Sequence, residues 1–311
     1  MRKYPPSKVP FFDFSSTLPE QENELESNPL LQRMKESRTR LEADKFRPKY
    51  HYVNPEGNLN DPNGLCFWQG NWHLFYQAYP PEDTRQHWGH AVSQDLIHWR
   101  DLPYAIYPLP ENCCYSGATL VEDDRVIAMY HGTGVGNIVA TSDDPLLLNW
   151  TKLTNAAVIE LKTPDRRKAY QLDRFSVYDP CIWKCHNYYY SLSGGVEATG
   201  PAGQYVAADF LFKSKDLINW EFVHSFIEDN IFTRIGDDGA CPYFWPIGNR
   251  HILLFYSHMS GGQYILGSYD TDKQKFSAEK HGLFNFGASL PSGVHAPSAA
   301  PCDHRADPRQ R

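Results

Sequence analysis

One seven-residue phrase, repeated along the chain, constrains the fold more than any other feature. Ser93-Gln94-Asp95-Leu96-Ile97-His98-Trp99 returns as Ser214-Lys215-Asp216-Leu217-Ile218-Asn219-Trp220. Looser copies run from Ser142-Asp143-Asp144 to Asn149-Trp150 and from Ser268-Tyr269-Asp270 to Phe276. The closing rings Trp99, Trp150, Trp220 and Phe276 follow one another at 51, 70 and 56 residues. An apolar strand pattern precedes each copy, at 73–77, 126–131, 188–192 and 252–257. Repeats of that length, built of strands with an aromatic mark, are the signature of propeller blades of four strands each. Helical solenoids would show apolar residues at 3.6-residue spacing, and the chain does not. The predicted fold is therefore all-β, a β-propeller over residues 48–299. Residues 1–47 form a proline-containing, acidic extension with one helix, and 300–311 an irregular polar tail.

Composition agrees with this and narrows the partners. Aromatic residues make up 14% of the 311 positions, beside 21 glycines and 23 prolines. That mix suits short strands and tight turns, and leaves flat rings to stack on sugar faces. A net charge of -7 without a long basic run disfavours nucleic acid and anionic membranes as partners. No apolar stretch approaches the roughly 20 residues needed to span a bilayer. Pro5-Pro6 and polar residues follow Met1-Arg2-Lys3 where a secretory leader needs an apolar core. Seven cysteines, with Cys113 and Cys114 adjacent, do not read as a disulfide framework. Cys181, Cys185 and His186 lack a second ligand pair at metal-binding spacing and read as strand thiols beside a stray imidazole. The expectation is a cytoplasmic protein with reduced thiols, no metal and no cofactor.

The chemistry points to Asn58-Leu59-Asn60-Asp61-Pro62-Asn63-Gly64. Pro62 cannot donate to a strand ladder and Gly64 readily takes a positive φ, so Asp61 is expected where a strand ends. By itself such a string is a polar turn whose aspartate caps its own backbone. Its continuation changes that reading: Asn71-Trp72-His73-Leu74-Phe75-Tyr76-Gln77, then Trp88-Gly89-His90-Ala91-Val92-Ser93, then Asp95-Leu96-Ile97-His98-Trp99. With these segments the chain resembles the N-terminal catalytic domain of glycoside hydrolase family 32, the invertases, inulinases and levanases. The resemblance runs from about Tyr50 to Ala299. It implies a five-bladed propeller, with Asn285-Phe286-Gly287 and His295-Ala296-Pro297-Ser298 as marks of the fifth blade. The polar tail leaves that last blade incomplete.

Hydrolysis of a glycosidic bond by retention needs two carboxyl groups about 5–5.5 Å apart, one attacking and one protonating the leaving oxygen. The resemblance implies that Asp61 is the nucleophile, attacking a fructosyl anomeric carbon. It makes Asp179, in Tyr178-Asp179-Pro180, the carboxylate that stabilises the oxocarbenium-like transition state. The family carries Arg where this chain has Tyr178, and a tyrosine hydroxyl replaces a guanidinium only in part. The family's proton donor is a Glu directly before Cys-Pro, and that slot is Ala240. Asp238, two residues earlier, is the expected replacement, brought back into reach by a bulge at Gly239; Asp237 is a weaker candidate. Asn60, Gln77, Trp88, Ser116 and Tyr178 are the expected substrate-binding residues. Trp88 has core packing as its alternative.

The expected function is release of terminal β-linked fructose from sucrose or fructans by double displacement. Two alternatives stand beside it. One is a fructosyltransferase, in which a sugar hydroxyl replaces water. The other is a carbohydrate-binding propeller without a working acid/base, which Ala240 and Tyr178 favour.

Overall fold

The structure is a computed structural model that describes residues 4–49, 51–161, 175–197, 204, 206–228 and 239–284. Within them lie four antiparallel sheets, each a consecutive meander. The first joins β1 (Leu59–Trp68), β2 (Asn71–Ala78), β3 (His87–Ser93) and β4 (Trp99–Ile106). The second joins β5 (Cys114–Val121), β6 (Val126–Gly132), β7 (Gly136–Ser142) and the short β8 (Thr151–Lys152), with β9 (Ile159–Glu160) also pairing β7. The third joins β10 (Phe175–Cys185), β11 (Tyr188–Glu197), β12 (Val206–Ser214) and β13 (Trp220–Ser225). The fourth joins β14 (Ala240–Ile247), β15 (Arg250–Ser257), β16 (Gly261–Asp270) and β17 (Lys275–Leu283). The first strands neighbour one another in order, β1 beside β5, β5 beside β10 and β10 beside β14. This is a propeller, with four blades in the described residues where five were expected. The residues assigned to a fifth blade, Asn285-Phe286-Gly287 and His295–Ser298, lie outside the described residues, as does the tail.

The repeated phrase is the turn between the third and fourth strands of a blade. Ser93 Oγ accepts the N–H groups of Asp95 (3.2 Å) and Leu96 (2.9 Å), while Asp95 Oδ1 accepts those of Ile97 (2.9 Å) and His98 (2.7 Å). Ser214 and Asp216 repeat every bond, at 3.2, 3.0, 3.0 and 2.8 Å. The closing indole donates to the carbonyl of the leucine, from Trp99 to Leu96 and from Trp220 to Leu217. That leucine has a left-handed backbone, φ 65° and 67°. Side chains bonding turn amides make the loop self-supporting, so the motif survives wherever a blade needs it.

Two helices precede the propeller where one was expected: α1 (Leu18–Glu26) and α2 (Pro29–Leu41). Asn28 separates them. Its side chain accepts the N–H groups of Leu30 and Leu31, and Pro29 occupies the first turn, where a missing N–H costs nothing. The extension is bound to the propeller. Val9, Leu30 and Met34 lie against Tyr76, Ala78 and Tyr104 of the first blade. Leu25 reaches both Leu102 and the second blade's Leu146 and Leu148. Gln21, fully buried, donates to Asp144 (2.8 Å) and accepts from the N–H of Leu146 (3.2 Å).

Between the first two blades the core is aromatic, with Phe75, Trp88 and Tyr130 wholly buried. A second core unites the remaining interfaces around Phe210, Phe226, Phe244 and Phe276. Cys66, Cys113, Cys114, Cys181 and Cys241 are free, but Cys185 is disulfide-bonded, so the expected all-reduced set does not hold. The described residues hold no cluster of His, Cys, Asp or Glu that suits a metal.

Candidate active site

All four first strands carry the same irregularity. Pairing with the second strand slips between Leu59 and Pro62, between Cys114 and Gly117, between Val177 and Pro180, and between Ala240 and Tyr243. Each slip leaves two residues unpaired: Asn60 and Asp61, Tyr115 and Ser116, Tyr178 and Asp179, Cys241 and Pro242. A bulge of this kind bends the strand and re-aims its side chains, and proline fits it because no ladder donor is lost there. Asp61 therefore sits in a bulge at the start of β1, not at a strand end. Gly64, three residues on, has the expected positive φ of 48°. Asp61, Ser116 and Asp179 are equivalent positions in three successive blades. Repetition of one backbone device brings them together.

The side chains confirm the convergence. Ser116 Oγ donates to Asp61 Oδ2 at 2.6 Å, and Gln77 Nε2 donates to the same oxygen at 3.2 Å and to Ser116 Oγ at 2.8 Å. The amide of Gln77 is itself fixed, because its Oε1 accepts from Asn60 (2.8 Å) and Gln86 (2.7 Å). From the other side Asp179 Oδ2 accepts the N–H of Cys241 at 3.3 Å and its thiol at 3.5 Å. Burial first, and then the charges of Asp179 and Asp61, hold the Cys241 thiol well above the ordinary thiol range. Bonds thus join Asp61 to Ser116 across the first two blades and Asp179 to Cys241 across the third and fourth, and the charges of both carboxylates act on the Cys241 thiol.

The two carboxylates have different settings. Asp61 is half-buried, and burial raises its pKa despite the donors Ser116 and Gln77 and the charge of His258. Asp179 is 8% exposed and accepts two bonds from Cys241. A third carboxyl, Asp209 on β12, lies opposite Gly194 of β11 on the buried face of the third blade. Burial alone pushes it up to about 7, and its Oδ1 has no hydrogen-bond partner among the described residues. Gly194 is required there, since a Cβ would come within 2.6 Å of the Gly239 carbonyl oxygen of the fourth blade.

The remaining expected site residues divide. Asn60, Gln77 and Ser116 belong to the network around Asp61. Tyr178 meets the ring of His131 edge-on at 6.2 Å, and His131 in turn lies 6.3 Å from the ring of Tyr115. Trp88 is fully buried, and its indole N–H donates to the backbone oxygen of Tyr115 at 2.9 Å. Its ring packs against Phe75 and Tyr130. Asp237 and Asp238 lie outside the described residues. Ala240 starts β14 and is buried. Sequence reasoning missed Cys241 and Gln86. Cys241 stood beside the Ala240 slot, but only the shared bulge identifies it as the counterpart of Asn60.

Comparison with known proteins identifies the family. The chain is 30% identical over 233 residues to a sucrose-6-phosphate hydrolase of Zymomonas mobilis, covering 71% of this chain and 44% of that protein. It is 32% identical to beta-fructofuranosidase insoluble isoenzyme 4 of Oryza sativa, over 74% of this chain and 42% of the relative. The chain thus spans less than half the length of these curated relatives. Among solved structures, a GH32 beta-fructofuranosidase of Bombyx mori superposes with a TM-score of 0.64 at 26% identity, over 85% of this chain and 58% of that one. A variant of that silkworm enzyme in complex with sucrose gives the same score. The model of the glycosyl hydrolases family 32 N-terminal domain matches residues 51–290. With most of its length inside that match, the chain belongs to glycosyl hydrolase family 32.

Proposed function

We propose that this protein releases terminal β-linked fructose from sucrose or short fructans by a retaining double displacement. Asp61 attacks the anomeric carbon. Among the described residues both of its donors fall on Oδ2, which leaves Oδ1 for the bond to carbon. Ser116 and Gln77 hold the carboxylate in place and, with Asn60, offer hydrogen bonds to fructosyl hydroxyls. Asp179 stays charged and bonds the sugar, and those bonds strengthen as the ring flattens toward an oxocarbenium ion. Asp238 protonates the leaving oxygen; its segment lies outside the described residues, so its role rests on sequence alone. Water then hydrolyses the fructosyl-enzyme, with the same carboxyl acting as base. The observation that carries this reading is that equivalent bulges of four blades hold Asp61 bonded to Ser116 and Asp179 bonded to Cys241, with both carboxylate charges acting on that one thiol. Names of relatives that act on sucrose or its phosphate support the substrate class.

A second reading, a carbohydrate-binding propeller without turnover, is favoured by one observation: Ala240 occupies the slot where the family carries its acid. Fructose release from sucrose, inulin and levan by the purified protein decides between them. Release from any of the three supports hydrolysis. Binding of these sugars without release, at enzyme concentrations where one turnover would be visible, rejects it.

A further inference from the structure

We propose that Cys241 is a positioning residue that clamps Asp179 as the fixed, non-attacking carboxylate of the site. This rests on the reading of Asp61 and Asp179 as a working pair. The fourth blade meets the pocket with the same bulge as the others, but its two unpaired residues are Cys241 and Pro242, so it supplies no carboxylate at that point. Instead it supplies two donors. Cys241 has a left-handed backbone, φ 51°, which is costly for a residue with a Cβ. That conformation accompanies an N–H (3.3 Å) and a thiol (3.5 Å) aimed at the same oxygen, Asp179 Oδ2. Pro242, which follows, has no N–H to compete for it. The side chain is 8% exposed, so water does not replace these donors cheaply.

The clamp has a chemical consequence. A carboxylate that must stabilise positive charge gains nothing from swinging toward its neighbour or sharing a proton with it. Two donors on one oxygen hold its plane and favour the ionised form. Preorganised charge of this kind acts in the transition state far more than in the ground state, so its loss appears in kcat more than in KM.

The test uses Cys241→Ala and Cys241→Ser with a cleaved fructoside. Cys241→Ala should lower kcat about tenfold or more while KM stays within about twofold, and Cys241→Ser, which keeps a donor of similar reach, should recover to within about threefold of the parent. Unchanged kcat in Cys241→Ala, or equal losses in both variants, overturns the proposal. A second measurement needs no turnover. The infrared difference between the parent and Cys241→Ser isolates the Cys241 S–H stretching band. That band should lie at lower frequency than a free thiol and should move when Asp179 is changed to Asn. A band at the free-thiol frequency, or one indifferent to Asp179→Asn, overturns the proposal even if Cys241→Ala does not fold. If the parent protein cleaves no fructoside, the proposed function fails, and the infrared result still decides the clamp.

Discussion

The first and fourth blades enter the pocket by the same backbone route and bring different chemistry. In the first, the bulge after Leu59 leaves Asn60 and Asp61 unpaired; in the fourth, the bulge after Ala240 leaves Cys241 and Pro242 unpaired. Where the first blade offers a carboxylate fixed by its neighbours, the fourth offers donors that fix a carboxylate of another blade. The pairing offset decides where side chains converge. Which residue occupies the offset decides what they do. The two are separable, and a propeller can change its chemistry at one blade without disturbing the others.

Substitutions can break that comparison, and the largest effect is expected at Asp61. Asp61→Asn should lower fructose release by at least about a thousandfold, measured at saturating substrate. Its effect on stability should have the opposite sign to a structural loss. A carboxyl whose pKa is raised on folding favours the fold below its free pKa, and that contribution is lost as pH rises through the folded value. At pH 7 the amide variant should therefore melt no lower than the parent; a clearly lower melting temperature would make Asp61 a structural residue.

The next effect concerns the proton donor and tests what the fourth blade lacks. Asp238→Ala should slow sucrose cleavage about a hundredfold, yet slow an aryl fructoside, whose leaving group needs little protonation, less than about tenfold. Adding Ala240→Glu to that variant should restore sucrose cleavage at least about tenfold, because that slot directly precedes Cys241, which bonds Asp179. Equal losses on both substrates would remove Asp238 from the mechanism.

Smaller effects sharpen the contrast. Gly194→Ala should cost about 1–3 kcal/mol in denaturant unfolding, since its new methyl meets the Gly239 carbonyl where the third and fourth blades touch. Ser116→Ala removes a donor that holds the Asp61 pKa down against burial. The acid limb of its kcat/KM profile should move to higher pH; a limb that stays in place would detach Ser116 from Asp61.

Much of this was legible in the chain because repetition is visible in letters. The Ser-x-Asp-Leu-Ile-x-Trp phrase reports a turn that closes on its own side chains, so it needs no tertiary context to be recognised. Asp61 and Asp179 were legible for a related reason, since each precedes a proline that suits the bulge. The clamp at Cys241 was not, because it depends on a left-handed φ and on a pairing offset that leave no trace in residue type. The extra helix was hidden because α1 is mostly acidic and polar, and its hold on the blades runs through the side-chain amide of Gln21.

Asp209 carries a consequence for handling the protein. Its proton is retained in the fold until about neutrality, whereas an unfolded aspartate gives it up near pH 4. In mildly acidic buffer Asp209 gives up its proton on denaturation, whereas the buried His73, His87 and His90, whose pKa values burial lowers, take protons up, so calorimetric heats will depend on the ionisation enthalpy of the buffer chosen.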